Sequence, residues 1–276
     1  MPFFLINKPK GVTSRAITSK IQYELKVKAG HAGTLDPFAT GLLIIATNGD
    51  TRLIDKFSKF PKTYEGTFIF GQTSSTLDPE GEITKKEIPN FSIAKLEEIL
   101  QNNFLGSIEQ IPPQFSAVKI DGKRAYDLAR KNEKFSLNPV RREIFAYKIL
   151  KKVNQNTFVI EFTVSNGTYI RALARDIAKK MQTVGMLLEL ERTKIGPFLL
   201  EMAQSPTEKF IPFSGGYALL NLEEIKLNDL EIKKLLNGQE LKLPYNNKEC
   251  LFFNKNIILF CSLNPNGKYK IKKRIN

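Results

Sequence analysis

Residues 157–181 read TFVIEFTVSNGTYIRALARDIAKKM. In the first third, Phe158, Ile160, Phe162 and Val164 alternate with Val159, Glu161 and Thr163, the period-two pattern of a strand with one buried face. Asn166-Gly167 is a turn signal, and Thr168 to Met181 reads as a helix. Upstream, Phe3–Ile6 reads as a short strand, and Ser14–Leu25 as a helix with Ile17, Ile21 and Leu25 at helical spacing. A polar, glycine-rich loop from Gly30 to Gly41 follows. Then come an aliphatic strand Leu42–Thr47, a helix starting near Asp50, and a strand through Tyr64–Phe70. Ser92 reads as the cap of a helix carrying Leu96, Ile99 and Leu100. Phe115–Ile120 reads as a strand closed by Asp121-Gly122, and Arg124–Lys131 as a short helix. Strands and helices interleave without regular βαβ spacing, which points to an α+β fold with an antiparallel or mixed sheet.

After Pro212 the composition changes. Ser214-Gly215-Gly216 precedes a helix from Asn228 to Asn237 stopped by Gly238. Short strands follow at 251–253, 257–261 and 269–272, the last two joined by an Asn264–Gly267 turn. The expected division is therefore a main domain over 1–214 and a small β-rich module over 215–276.

The chain has 276 residues, 42% of them hydrophobic, enough to fill a core. One histidine and two distant cysteines are too few for a His/Cys zinc site, so any chemistry rests on carboxylates, hydroxyls or arginines. Cys250 and Cys261 form no disulfide framework and fit a reducing compartment. Phe3–Ile6 is too short for a signal segment, and the longest aliphatic run, Leu42–Ala46, is far short of a membrane span of about 20 residues. The expectation is a soluble, cytoplasmic protein.

The net charge is +14, which calls for a polyanionic partner. Half of it lies between Lys119 and Lys152, where eleven basic residues meet four acidic ones. Phe115, Tyr126, Phe135, Phe145 and Tyr147 are interleaved there or nearby, as on a nucleic-acid surface. The last twelve residues add five more cations and no acid.

The most unusual segment is Gly30-His31-Ala32-Gly33-Thr34-Leu35-Asp36-Pro37-Phe38-Ala39-Thr40-Gly41. Taken singly, its residues are ordinary turn and loop residues. Together, three glycines permit close approach by a ligand, Pro37 stiffens the chain just after a carboxylate, and the one imidazole lies five residues before it. The segment resembles the catalytic motif of the TruB family of tRNA pseudouridine synthases. Further motifs resemble that family in the same order: Lys8-Pro9 with Gly11 and Thr13-Ser14, Lys62-Thr63-Tyr64, Ile111-Pro112-Pro113 with Ser116-Ala117, Lys119, Gly122, Tyr126 and Ala129-Arg130, and Gly167-Thr168-Tyr169-Ile170-Arg171. The series spans residues 8 to about 192.

The resemblance implies an α+β fold built on a mixed, mainly antiparallel sheet of the pseudouridine synthase type, with a reduced PUA-like module at the C-terminus. It implies a cofactor-free, metal-free isomerisation of uridine at position 55 in the T loop of tRNA. Asp36 would be the nucleophile, attacking C1′, assisting a glycal, or adding to C6; the sequence leaves these three routes open. Arg171 would hold Asp36 ionised, as a guanidinium can hold a carboxylate through parallel hydrogen bonds. Tyr64 would stack on the flipped base, His31 would fill the space the base vacates or contact RNA beside it, and Tyr169 and Leu190 would line the uridine pocket. Asp78 falls at the family's acidic loop position, whereas Ser75 stands where relatives commonly carry Asp. The expected partner is the tRNA elbow, bound by a monomer with no membrane attachment and no obligate protein partner. A second reading is a non-catalytic RNA-binding or RNA-folding factor for ribosome assembly; the trio Asp36, Tyr64 and Arg171 separates the two, because a pure binder has no use for a carboxylate in a phosphate-binding cleft.

Overall fold

The computed structural model describes residues 3–87, 92–213, 217, 220, 222–255 and 257–275. Nine strands form the main sheet: β1 Phe3–Lys8, β2 Ala29–Ala32, β3 Thr40–Thr47, β4 Lys62–Phe70, β5 Gly106–Gln110, β6 Val140–Lys152, β7 Thr157–Val164, β8 Gly185–Ile195 and β9 Phe198–Leu199. Their order is β1-β3-β8-β4-β7-β6-β5, with β2 beside β3 and β9 beside β8. Every pairing is antiparallel except β3–β8, which is parallel over Thr40–Glu191 and Gly41–Arg192. The expected mixed, mainly antiparallel sheet is therefore present.

The alternation in β7 does what the sequence requires. Phe158, Ile160, Phe162 and Val164 are buried with Phe68 and Phe70 of β4 against helices α3 (Ile93–Asn103) and α5 (Ile170–Lys180). On the opposite face Glu161, Glu65 and Glu191 are cross-strand neighbours in one row. Helix α5 lies close to the sheet because Ala174 and Ala178 face Gly185, where an added Cβ would come within 2.9 Å of both residues. Helix α1 (Ser14–Leu25), capped by Thr13, buries Ile17 and Ile21 against Phe4, Ile6, Leu43 and Ile45 at the other end of the sheet.

Two central strands were not visible in the sequence. In β6 only Ile144 is fully buried, and bulges at Ile144/Ala146 and Ile149/Lys151 interrupt the alternation, so the segment looked only like a basic cluster. In β8 bulges at Leu187/Glu189 and Arg192/Lys194 have the same effect. Two expectations need correction. The segment 115–120 is not a continuous strand: only Lys119–Ile120 pair, with Lys123–Arg124, across the Asp121-Gly122 turn. Residues 115–117 instead bend along the cleft, where the Phe115 carbonyl accepts a hydrogen bond from Arg171. The expected loop from Gly30 also begins as strand, with His31 opposite Ile45.

Beyond residue 222, strands Glu223–Lys226, Glu249–Asn254, Ile257–Leu263 and Tyr269–Arg274 form a four-stranded sheet. It is accompanied by helix α6 (Asp229–Leu236), which starts in an Asn228/Glu231 capping box. This sheet is not loosely attached: Leu220, Leu222, Leu251, Phe260 and Ile275 share one apolar cluster with Phe3, Leu5, Leu42 and Ile44. The composition shift at 214–216 lies outside the described residues. Among the described residues no helix is long and apolar enough to cross a membrane.

Candidate active site

The segment carrying Asp36 is clasped from two sides. On one side, Ser14 Oγ donates to the Leu35 carbonyl at 3.1 Å and accepts from the Leu35 amide at 2.8 Å. The buried Lys8 ammonium donates to the carbonyls of Pro9 (2.9 Å), Val12 (2.7 Å) and Pro37 (3.4 Å). Gly11 N–H reaches the Pro37 carbonyl as well, at 2.8 Å. These bonds explain why the 8–14 motif accompanies the 30–41 motif.

On the other side, Arg192 of β8 donates from Nε to the Leu42 carbonyl at 2.8 Å and from Nη2 to the Gly33 carbonyl at 3.0 Å. Both ends of the Asp36 segment are thus fixed to one buried guanidinium. Leu35 and Phe38 anchor the middle by burial. Gly41 has φ +104°, and a Cβ there would meet the Arg192 backbone at 2.4 Å. Its role is therefore approach to β8, not to a ligand.

Arg171 opens the first turn of α5 and is 4% exposed. Its Nε meets Asp36 Oδ2 at 2.9 Å, and Nη1 meets Asp78 Oδ2 at 3.2 Å. Nη1 also donates to the Thr76 carbonyl at 2.6 Å and Nη2 to the Phe115 carbonyl at 3.0 Å. One guanidinium therefore fixes three segments around the nucleophile candidate. Asp78 is 2% exposed and is held by Thr76 Oγ1 and the Glu80 amide.

The Asp36 side chain, 38% exposed, forms part of the wall of a cleft of about 680 Å³. Burial pushes its carboxyl above the ordinary value of 3.8; Arg171 pulls it down, Asp78 pushes it up and Lys8 pulls it down. A carboxyl-carbon NMR titration of the free protein should place the Asp36 midpoint above 3.8, and Asp78→Asn should lower it by removing a like charge and freeing Arg171. A midpoint that is unchanged in Asp78→Asn contradicts this electrostatic arrangement.

The same cleft is lined by Tyr64, Tyr169, Arg171 and Leu190. The structure thus brings together five of the six expected site residues. Arg192 lies 6.0 Å from the centroid of the Tyr64 ring, adding a cationic face behind the aromatic. Burial pushes the Tyr169 phenol up, and the Ser116 hydroxyl opposes it.

His31 is not among the lining residues. Its Nδ1 lies 3.0 Å from Thr18 Oγ1 and its Nε2 lies 3.2 Å from Thr34 Oγ1. Thr18 also donates to the Ser14 carbonyl, so both ring nitrogens of His31 are engaged by threonine hydroxyls that the fold holds in place. Burial and Arg192 hold its pKa below 6.5. The sole imidazole therefore supports the segment from beside the cleft.

Two contributors escaped sequence reasoning, and a third was seen without its role. Arg192 lies in a strand the sequence did not reveal. Gln110, fully buried, clamps the Tyr169 peptide by donating to its carbonyl at 3.1 Å and accepting from its amide at 2.9 Å. Lys62 was visible only as part of a motif. Its ammonium is bound to the Ser58 and Phe60 carbonyls and to Asn166 Oδ1, and burial, reinforced by Arg192, pushes its pKa down to about 8. Lys8 is likewise pushed to about 8, chiefly by burial. Among the described residues no group of three His, Cys, Asp or Glu side chains is placed to hold a metal ion.

The main sheet, mixed and mainly antiparallel, thus carries a carboxylate–guanidinium–carboxylate cluster beside Tyr64 of β4. Solved structures share the fold. A chain in a Cbf5-Nop10-Gar1 complex aligns over 100% of this chain and 85% of its own length with a TM-score of 0.69 at 19% identity. A chain in an H/ACA RNP bound to a substrate RNA containing 2′-deoxyuridine aligns with a TM-score of 0.68 at 18% identity, covering 100% of this chain and 85% of its own. The sequence specifies the class further: residues 20–170 match the model of the TruB family pseudouridylate synthase N-terminal domain. The tRNA pseudouridine synthase B of Aquifex aeolicus is 40% identical over 86% of this chain and 85% of its own, and that of Onion yellows phytoplasma 38% identical over 97% of both. The chain belongs to the TruB family of pseudouridylate synthases.

Proposed function

We propose that this protein isomerises uridine to pseudouridine at position 55 in the T loop of tRNA, with Asp36 as nucleophile and no cofactor. The observation that carries this reading is the Asp36–Arg171–Asp78 cluster in the wall of a cleft large enough to admit a nucleoside. In the reaction the N1–C1′ bond of uridine breaks, the uracil turns, and a C5–C1′ bond forms while the C5 proton leaves and N1 takes up a proton, so that the sum is an isomerisation. Each route open to Asp36 needs an ionised carboxylate held still, which Arg171 and the doubly clasped segment supply.

The target base is stacked in folded RNA, and extruding it costs a few kcal/mol. Stacking on Tyr64 recovers about 1–3 kcal/mol of that. Mapping pseudouridine in tRNA from cells lacking the protein tests the reading directly; an unmodified T loop is expected, and full modification overturns it. We also assign 1–214 to catalysis and 215–276 to a PUA-like RNA-binding module in a monomeric, cytoplasmic enzyme.

The structure divides the basic stretch. Arg130 lines the cleft, Lys123 and Arg124 lie on the short ribbon leading into α4 (Ala125–Arg130), and Arg142 donates to the Gly167 carbonyl at the cleft rim. Lys151 and Lys152 lie at the far end of β6, roughly 30 Å from Arg142 at about 3.3 Å per residue. Neutralising Lys123, Arg124 and Arg130 should flatten the salt dependence of tRNA binding by about 0.7–0.9 per lost phosphate contact. Neutralising Lys148, Lys151 and Lys152 should change it less. The reverse ranking in a filter-binding salt series would move the RNA face to the distal end.

A further inference from the structure

Every route open to Asp36 ends in the same step. Once C5 is bonded to C1′, its remaining hydrogen must leave before the ring regains its C5–C6 double bond, and a group in the cleft must take that proton. The side chains lining the cleft narrow the choice. Ammonium and guanidinium groups already carry their protons, and a phenol must be ionised before it can take one from carbon. Three carboxylates remain, those of Asp36, Asp78 and Glu80. Asp36 is committed to the nucleophilic step and paired with Arg171. Asp78 is 2% exposed, and its oxygens are spent on Arg171, Thr76 Oγ1 and the Glu80 amide.

Glu80 differs from both. It is exposed and lines the cleft, and its carboxylate makes no hydrogen bond and no ion pair among the described residues. Its backbone is nonetheless fixed. The Glu80 amide donates to Asp78 Oδ1 at 3.0 Å, Asp78 Oδ2 lies 3.2 Å from Arg171 Nη1, and the same guanidinium holds Asp36 at 2.9 Å. Ser74 Oγ accepts from the Asp78 amide at 3.1 Å, and a Cβ on Gly81 would come within 2.6 Å of Thr76 Oγ1, so the loop is packed onto itself. Glu80 is thus registered to the nucleophile through one carboxylate and one guanidinium, while its side chain is left free to meet a ring in the cleft.

An acid without a cation on this wall opposes the phosphates of any RNA that enters, and so weakens binding unless it takes part in the chemistry. Water displaced by the cleft wall, then the like charges of Asp78 and Asp36, push the Glu80 carboxyl above its ordinary value of 4.5, while Arg171 and Lys8 pull it down. A carboxylate raised in this way is a stronger proton acceptor than a free one.

We propose that Glu80 is the catalytic base that removes the proton from C5. The C5–H bond breaks and its proton goes to the Glu80 carboxylate. The electron pair of that bond forms the C5–C6 double bond, the C6–N1 π pair moves onto N1, and N1 takes a proton from water. Glu80 then returns its proton to solvent, so nothing is consumed. This inference rests on the uridine-isomerising reading above.

The test uses the full chain and a T-arm RNA hairpin carrying 5-protio or 5-deuterio uridine at the target position. Single-turnover rates at saturating hairpin should fall by about 10²–10⁴-fold in Glu80→Gln, the usual contribution of a general base. Proton removal then limits the rate, so the deuterated hairpin should lag the protiated one by more than it does with the wild type. Affinity should be unchanged or tighter, because an anion has left the cleft, and the unfolding temperature should not move, because no contact is lost. Glu80→Asp, which keeps the carboxylate on a shorter stem, should turn over faster than Glu80→Gln.

A Glu80→Gln rate near that of the wild type, or a slow rate without a larger isotope effect, overturns the proposal. So does a larger isotope effect that arises in Tyr64→Phe and not in Glu80→Gln, which assigns the proton to the phenol. If the wild type forms no pseudouridine, the uridine-isomerising reading fails and this inference with it. If the wild type turns over and Glu80→Gln changes neither rate nor isotope effect, the assignment of Glu80 fails alone.

Discussion

Asp36→Asn is expected to abolish pseudouridine formation, by at least roughly 10⁴-fold as for loss of other catalytic nucleophiles, while tRNA affinity stays within a few-fold and thermal stability is unchanged or higher. The stability half follows from the charge balance. Arg171 faces two carboxylates, so one pair is neutral and Asp36 is the surplus charge. Its pKa is raised in the folded protein, above all by burial. A raised carboxyl pKa means that the folded state holds the proton more tightly than the unfolded chain. The stabilising contribution is complete below 3.8 and is lost as pH rises through the folded value, leaving the ionised group a net cost at neutral pH. Asparagine keeps the shape and an acceptor for Arg171 and removes that cost. Single-turnover tritium release from 5-³H-uridine tRNA, filter binding and calorimetry read the three quantities. Retained turnover removes Asp36 from the chemistry, and a clear fall in unfolding temperature makes it a structural residue.

Arg171→Ala should be the most destabilising change at the site. It leaves Asp78, 2% exposed, without its cation and strips donors from the Thr76 and Phe115 carbonyls. Breaking a buried ion pair from one side costs about 3–5 kcal/mol, which for a chain of this size lowers the unfolding temperature by about 10 °C. Activity is lost as well, because Asp36, the Asp78 loop and the 115–117 wall all lose their common anchor. Arg171→Lys restores the charge but not the fork, so part of the stability should return without the turnover. Adding Asp78→Asn to Arg171→Met should recover stability relative to Arg171→Met alone, since the stranded charge is then gone. Wild-type stability in Arg171→Ala would show that the guanidinium is not the keystone of the cleft.

The resemblance to the family rested on short motifs, and the structure shows why those motifs travel together. Lys8, Gly11 and Ser14 hold the Leu35–Pro37 backbone, and the residues after Gly167 present Arg171 to Asp36. Asp36, Tyr64, Tyr169, Arg171 and Leu190, far apart in sequence, line one cleft. His31 was legible as part of the motif but not as a support beside the cleft, because its hydrogen bonds to Thr18 and Thr34 depend on the pairing of β2 with β3. Arg192 and Gln110 gave no sequence signal. A lone polar residue in or beside a strand reads as solvent-facing until the fold buries it.

What the sequence determined by itself is local: the alternation of β7, the helices with caps at Thr13 and Ser92, the turn at Asn166-Gly167, the net charge, and the residue types able to do the chemistry. These depend on backbone preferences and side-chain period within a few residues, which a linear sequence records. The tertiary structure alone decided that β3 and β8 run parallel for two residue pairs, that Arg192 ties both ends of the Asp36 segment, and that Arg171 serves two carboxylates 42 positions apart in sequence. Those arrangements satisfy buried charges and carbonyls, and which groups are buried together is a property of the packed chain rather than of any stretch of it.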